Sequence, residues 1–162
     1  MTNFIATFFY IGHLRPAPGT WGSLAALPAA AILYSFAGPY AVVFGLVVLY
    51  ALGLWATTLE TADQDDHDPS EIVIDEVVGQ WLALLPVLFG ASATEVAVLA
   101  LWPGWIAAFV LFRFFDITKL GPVGWADRRG DATGVMLDDV IAGLFAAVGV
   151  VILAALYHVV LI

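Results

Sequence analysis

The stretch DPSEIVIDEVVGQW, Asp68 to Trp81, runs without a break into LALLPVLF, Leu82 to Phe89. It sets four carboxylates, Asp68, Glu71, Asp75 and Glu76, at the head of an apolar segment in a chain that is only 12% charged. Asp68, Pro69 and Glu71 suit a helix start, as N-cap, first helical residue and the third-position acid of a capping box. Asp75 and Glu76 then fall nearly two turns inside the helix. An unpaired carboxylate carried into lipid costs roughly 2.5 to 3.5 kcal/mol even on the lenient insertion scale, so something must compensate these two.

Composition makes lipid the expected surroundings. The 162 residues are 62% hydrophobic, with a mean hydropathy of +0.98, too apolar for an ordinary soluble domain and of a length for one domain, residues 1–162. Ala37 to Leu59 and Val140 to Ile162 are each long enough to span a bilayer, at about 20 residues per crossing. No alternating barrel pattern is present, so the expected class is all-α, a polytopic helical integral membrane protein. The N-terminus lacks a basic segment ahead of its apolar run, and no processing is expected. The absence of cysteine excludes disulfides, thiolate metal sites and cysteine nucleophiles. A net charge of −9 argues against nucleic acid as a partner.

All the formal charges but Glu95 fall in three blocks. Arg15 stands alone near the N-terminus, Glu60 to Glu76 holds eight acids and no base, and Arg113 to Asp139 holds four bases and five acids. Between the first two blocks, Leu24 to Leu59 has room for two helices with a Gly-Pro turn in AGPY, Ala37 to Tyr40. Between the second and third, Ile72 to Phe115 is broken by FGASAT, Phe89 to Thr94. About five membrane helices would put all three polar blocks on one face, with the first and third helices short enough to be re-entrant. All five bases then share that face, which the positive-inside tendency makes cytoplasmic.

Glu71 and Asp75, four residues apart, would share a helix face and repel unless a cation lies between them. Mg²⁺ suits such a place, because it takes carboxylate oxygens and keeps waters that a phosphate can replace. Asp138 and Asp139 repeat the pattern at the mouth of the last apolar segment, with Asp116, Arg113 and Lys119 nearby in sequence. A solvated helix N-terminus would account for one such pair of acids; two pairs together with bases favour a site for metal and phosphate. Gly19, Thr20, Gly22 and Ser23 form a small-residue loop running into a helix, where backbone N–H groups can receive a phosphate.

Taken together, PAPGTWGSLAALP, DPSEIVIDEVVGQW and FRFFDITKLGPVGWADRRGDATGVMLDDVIAG resemble the phosphatidylglycerophosphatase A family of bacterial membrane lipid phosphatases, from about Gly12 to Gly143. KLGP, Lys119 to Pro122, departs from the family's Lys-Pro-x-Pro. The resemblance implies Mg²⁺-dependent removal of the terminal phosphate of phosphatidylglycerophosphate, giving phosphatidylglycerol, at the cytoplasmic face of a bacterial inner membrane. In that setting Glu71, Asp75, Glu76, Asp138 and Asp139 are expected to hold one or two Mg²⁺, and Asp116 to be a further ligand or the base that aims a water. Arg15, Lys119 and Arg113 would neutralise phosphoryl oxygens cradled by the Gly19 to Ser23 backbone. The competing class is a small cation carrier or channel component using intramembrane acids. A lipid-phosphate alcohol transferase would carry an Asp-Gly-x-x-Ala-Arg run, which is absent.

Overall fold

The computed structural model describes residues 1–62 and 69–161, the last two of these by backbone alone, and every regular element among them is helical. The order is α1 (Thr2–Ala6), a 3₁₀ turn (Ile11–His13), α2 (Pro18–Thr61), α3 (Ile74–Ala93), a second 3₁₀ turn (Val98–Leu101), α4 (Trp102–Thr118), α5 (Pro122–Asp127) and α6 (Ala132–Leu161). Four stretches are long and apolar enough to cross a membrane: Pro18–Thr61, Ile74–Ala93, Val98–Thr118 and Ala132–Val159.

The expected Gly-Pro turn lies within α2. Ala37 and Gly38 leave helical geometry, and Gly38 takes φ 71°, a conformation glycine reaches without a steric penalty. Pro39 follows and withholds the N–H that would continue the ladder. A methyl group on Gly45 would lie 2.9 Å from Leu33 Cδ2. A straight helix, rising 1.5 Å per residue, would hold those residues roughly 18 Å apart. The chain therefore doubles back, and 18–36 and 39–61 form two limbs.

α3 is the centre of the molecule: 67% of its apolar window is buried, against 17–22% in the other three stretches. Trp81 joins both limbs of α2 to it, donating from Nε1 to the Ala26 carbonyl at 2.9 Å while its ring lies against Gly45. Val87 packs on Gly104 of α4, and Gly79 on α6. The outer faces stay apolar, with Phe36, Phe44, Val110, Val148 and Ile152 exposed. Helices apolar on all sides, with large outward-facing side chains, are suited to hydrocarbon.

The start of α3 differs from the sequence expectation. Asp68 lies outside the described residues, but Ser70 and Glu71 form a turn and the helix begins at Ile74, with no side-chain cap from Val73. Pro69 and Glu71 therefore do not occupy the first turn, and Glu71 and Asp75 do not share a helix face. Tertiary contact overrides the local capping signal. The Val73 N–H donates to the Ala6 carbonyl at 2.9 Å, and the backbone of Glu71 presses on Gly12, where a methyl group would lie 1.9 Å from the carbonyl oxygen. Phe8, Phe9 and Tyr10, all at positive φ, make the turn that brings Gly12 there. The break between α3 and α4 also comes later than expected, since FGASAT remains helical through Ala93.

Candidate active site

Asp75 lies one turn before Gly79 on α3, and Asp139 one turn before Gly143 on α6. The two glycines meet. A methyl group on Gly143 would lie 2.4 Å from the Gly79 carbonyl oxygen, and one on Gly79 would lie 2.6 Å from the Asp139 carbonyl oxygen. Small residues at a crossing let helix backbones approach closely, and here the approach brings together the acids one turn above it. Asp75, Glu76 and Asp139 each offer an oxygen within 4.8 Å of the other two. Asp75 and Asp139 are buried, and Glu76 is half-buried.

These acids line a cavity of about 290 Å³ at the polar end of the bundle. α4 supplies its cationic wall. Arg113 reaches Asp116 Oδ2 at 2.6 Å, Glu76 Oε1 at 3.9 Å and the Ser23 hydroxyl at 3.3 Å. Lys119 ends α4 in a left-handed conformation and turns its ammonium to three carboxylates: Asp116 Oδ1 at 3.3 Å, Asp127 Oδ1 at 3.4 Å, and Asp138. Burial opposes its charge, but Asp139, Asp138 and Asp116 outweigh that and hold its pKa above the ordinary lysine value. Among the described residues, Glu76 Oε2 and Asp139 Oδ1 are buried without a hydrogen-bond partner. Clustered carboxylates with unsatisfied buried oxygens fit a hard cation, the group that compensates both the repulsion and the desolvation.

A family model described as phosphatidylglycerophosphatase A matches residues 4–154. The chain belongs to the phosphatidylglycerophosphatase A family. It is 36% identical over 147 residues to the phosphatidylglycerophosphatase A of Haemophilus influenzae, covering 90% of this chain and 84% of that one. With the Escherichia coli protein of the same name it shares 34% over 149 residues, 90% and 78% of the two chains. A Bacteroides thetaiotaomicron relative, 37% identical over 155 residues and covering 88% and 86%, has a name that offers phosphatidylinositol-3-phosphatase as a provisional assignment. No solved structure matches significantly. The family is one of lipid phosphatases.

In this family member the residues singled out from sequence divide into three groups. Asp75, Glu76, Asp138, Asp139, Asp116, Arg113, Lys119 and Gly19 all line the one cavity. Glu71 stands outside the three-acid cluster, its carboxylate 3.8 Å from Arg15, which also donates to the Ser70 hydroxyl at 2.9 Å. Gly19, Thr20, Gly22 and Ser23 are not a loop, because α2 already begins at Pro18. Gly19 still makes room for the site, since a methyl group there would lie 2.0 Å from Glu76 Oε1. Gly22 packs on Val73, and Ser23 orients Arg113 while donating to the Gly19 carbonyl at 2.9 Å.

Asp138 and Asp139 are well inside α6 rather than at its start. Asp131 caps that helix, accepting from the Gly134 N–H at 2.6 Å. Two residues beside the site escaped sequence reasoning. Asp127 on the short α5 sits in a run of mixed charge that gives no sign of its contact with Lys119. Gln80 is fully buried one turn below Glu76, and its signal was available, as an amide inside an apolar helix.

Proposed function

We propose that this chain removes the terminal phosphate of phosphatidylglycerophosphate, leaving phosphatidylglycerol, with Mg²⁺ as its metal. The observation that carries the reading is the meeting of Asp75, Glu76 and Asp139 within 4.8 Å, with buried oxygens on two of them that have no partner among the described residues. These three would hold the ion. Glu71, at the rim, and Asp138, engaged by Lys119, would act at one remove. Bound there, Mg²⁺ supplies Lewis-acid stabilisation of the phosphoryl oxygens and lowers the pKa of an attacking water.

The chain's own residues do the rest. Arg113, on the wall of the cavity, binds the phosphoryl oxygens and offsets their growing charge. Asp116 has one oxygen on Arg113 and the other on Lys119, so it serves to aim these cations, and a carboxylate of the cluster takes the proton of the water. Arg15, half out of the cavity mouth beside Ser70, meets the incoming headgroup. The acyl chains stay in lipid along the apolar outer faces while the phosphate reaches the acids at headgroup depth.

Counting the two limbs of α2 separately would give five crossings, with the described residues of the polar blocks at one end. All five bases lie in those blocks, and the positive-inside tendency supports a site at the cytoplasmic face of a bacterial inner membrane. Inverted membrane vesicles bearing the protein should release inorganic phosphate from added short-chain phosphatidylglycerophosphate and form phosphatidylglycerol. Chelator should stop the reaction, Mg²⁺ should restore it, and intact spheroplasts should show none of it. Folded protein that releases no phosphate in Mg²⁺ would refute the assignment, and activity in spheroplasts would reverse the orientation.

A further inference from the structure

Gln80 has no exposed surface, yet among the described residues neither its amide nitrogen nor its amide oxygen has a hydrogen-bond partner. A buried unpaired amide is costly to keep, and a leucine of similar size would avoid that cost. Its position is informative. Gln80 is one turn below Glu76 on the same face of α3. The preceding residue, Gly79, meets Phe112 of α4, a methyl group there lying 2.4 Å from Cε2, and the residue after Phe112 is Arg113. Arg113 already approaches Glu76 at 3.9 Å, so Gln80 and the Arg113 stem fall on the same side of the α3–α4 contact.

Among the other buried atoms that lack partners in the described residues are Glu76 Oε2, which needs a donor, and Arg113 Nε, which needs an acceptor. A primary amide offers both. We propose that Gln80 is a positioning residue for the site, its Nε2 joined through one bridging water to Glu76 Oε2, whose other lone pair is left for the ion, and its Oε1 joined through another to Arg113 Nε. The bridge ties a metal-holding carboxylate to the phosphate-binding guanidinium and fixes their separation, the task that supporting hydrogen bonds perform around metal sites. This inference rests on the phosphatase reading above.

The test compares Gln80→Leu and Gln80→Glu with the wild-type protein in detergent. Gln80→Leu should hold the thermal midpoint near the wild-type value, because a leucine of similar size fills the same buried space and needs no hydrogen bonds, while kcat on phosphatidylglycerophosphate falls roughly 10- to 100-fold. KM should change less, and the rise in midpoint on adding Mg²⁺ should shrink. Gln80→Glu, which loses the donor and sets a second carboxylate against Glu76, should be the slower of the two. Wild-type kcat in Gln80→Leu would overturn the proposal. So would a loss of activity that only tracks a lower midpoint with the Mg²⁺ response intact, since Gln80 would then be packing. Wild-type protein that releases no phosphate would count against the phosphatase reading, and the Mg²⁺-dependent midpoint would still decide whether Gln80 acts on Glu76.

Discussion

Asp139 and Glu71 carry the same charge and were both expected to bind metal, but the structure treats them differently. Asp139 is 2% exposed, with an oxygen unpartnered among the described residues, whereas Glu71 lies at the rim beside Arg15. Replacing a cluster acid by its amide keeps the shape and removes the ligand charge. Asp75→Asn and Asp139→Asn should therefore each lower turnover by about 100-fold or more, while the proteins still insert and bind detergent as wild type does. Glu71→Gln should cost no more than about tenfold, mostly in KM, because it loosens Arg15 rather than the cluster. Steady-state phosphate release measures all three, and equal losses would restore Glu71 to the metal set. The acids were legible in sequence because carboxylates in an apolar segment demand compensation. The difference between them was not, because it depends on α1 and the aromatic turn displacing the start of α3 to Ile74.

Between elements, the decisive contact is the one between α3 and α6. Ala142 and Ala146 of α6 are buried, but Gly149 faces Leu111 of α4. The residue that meets α3 is Gly143. No periodicity in a helix this uniformly apolar marks which small residue faces which neighbour. The turn in α2 was legible because Gly38 and Pro39 are local signals, needing no partner. Gly79→Ala sets a methyl group 2.4 Å from Phe112 and 2.6 Å from the Asp139 carbonyl oxygen, an overpacking worth about 1 to 3 kcal/mol. It should lower the thermal midpoint by several degrees, at roughly 3 °C per kcal/mol for a chain of this size. Activity should fall further than the midpoint accounts for, since the push falls on the backbone of Asp139. An unchanged midpoint and rate would show that the glycine contact does not set the spacing of the acids.

Across the whole molecule, every charged group of the cavity lies at one end of a bundle whose outer surface suits lipid. That polarity was readable from three charge blocks alternating with apolar ones. How the blocks converge on one cavity was not, because it needs α2 folded back and α3 placed at the centre. An arrangement of this kind acts on a phosphate delivered by a lipid. Binding energy from the acyl chains would hold the reacting group in place, and a soluble phosphate lacks the chains to supply it. The most direct measurement is the specific activity of detergent-purified protein in Mg²⁺ on phosphatidylglycerophosphate and on glycerol 3-phosphate. Rapid phosphate release from the lipid, with kcat/KM for glycerol 3-phosphate lower by orders of magnitude, is the expected result. Equal activity on both would contradict it, leaving the membrane helices as an anchor with no part in presenting the substrate.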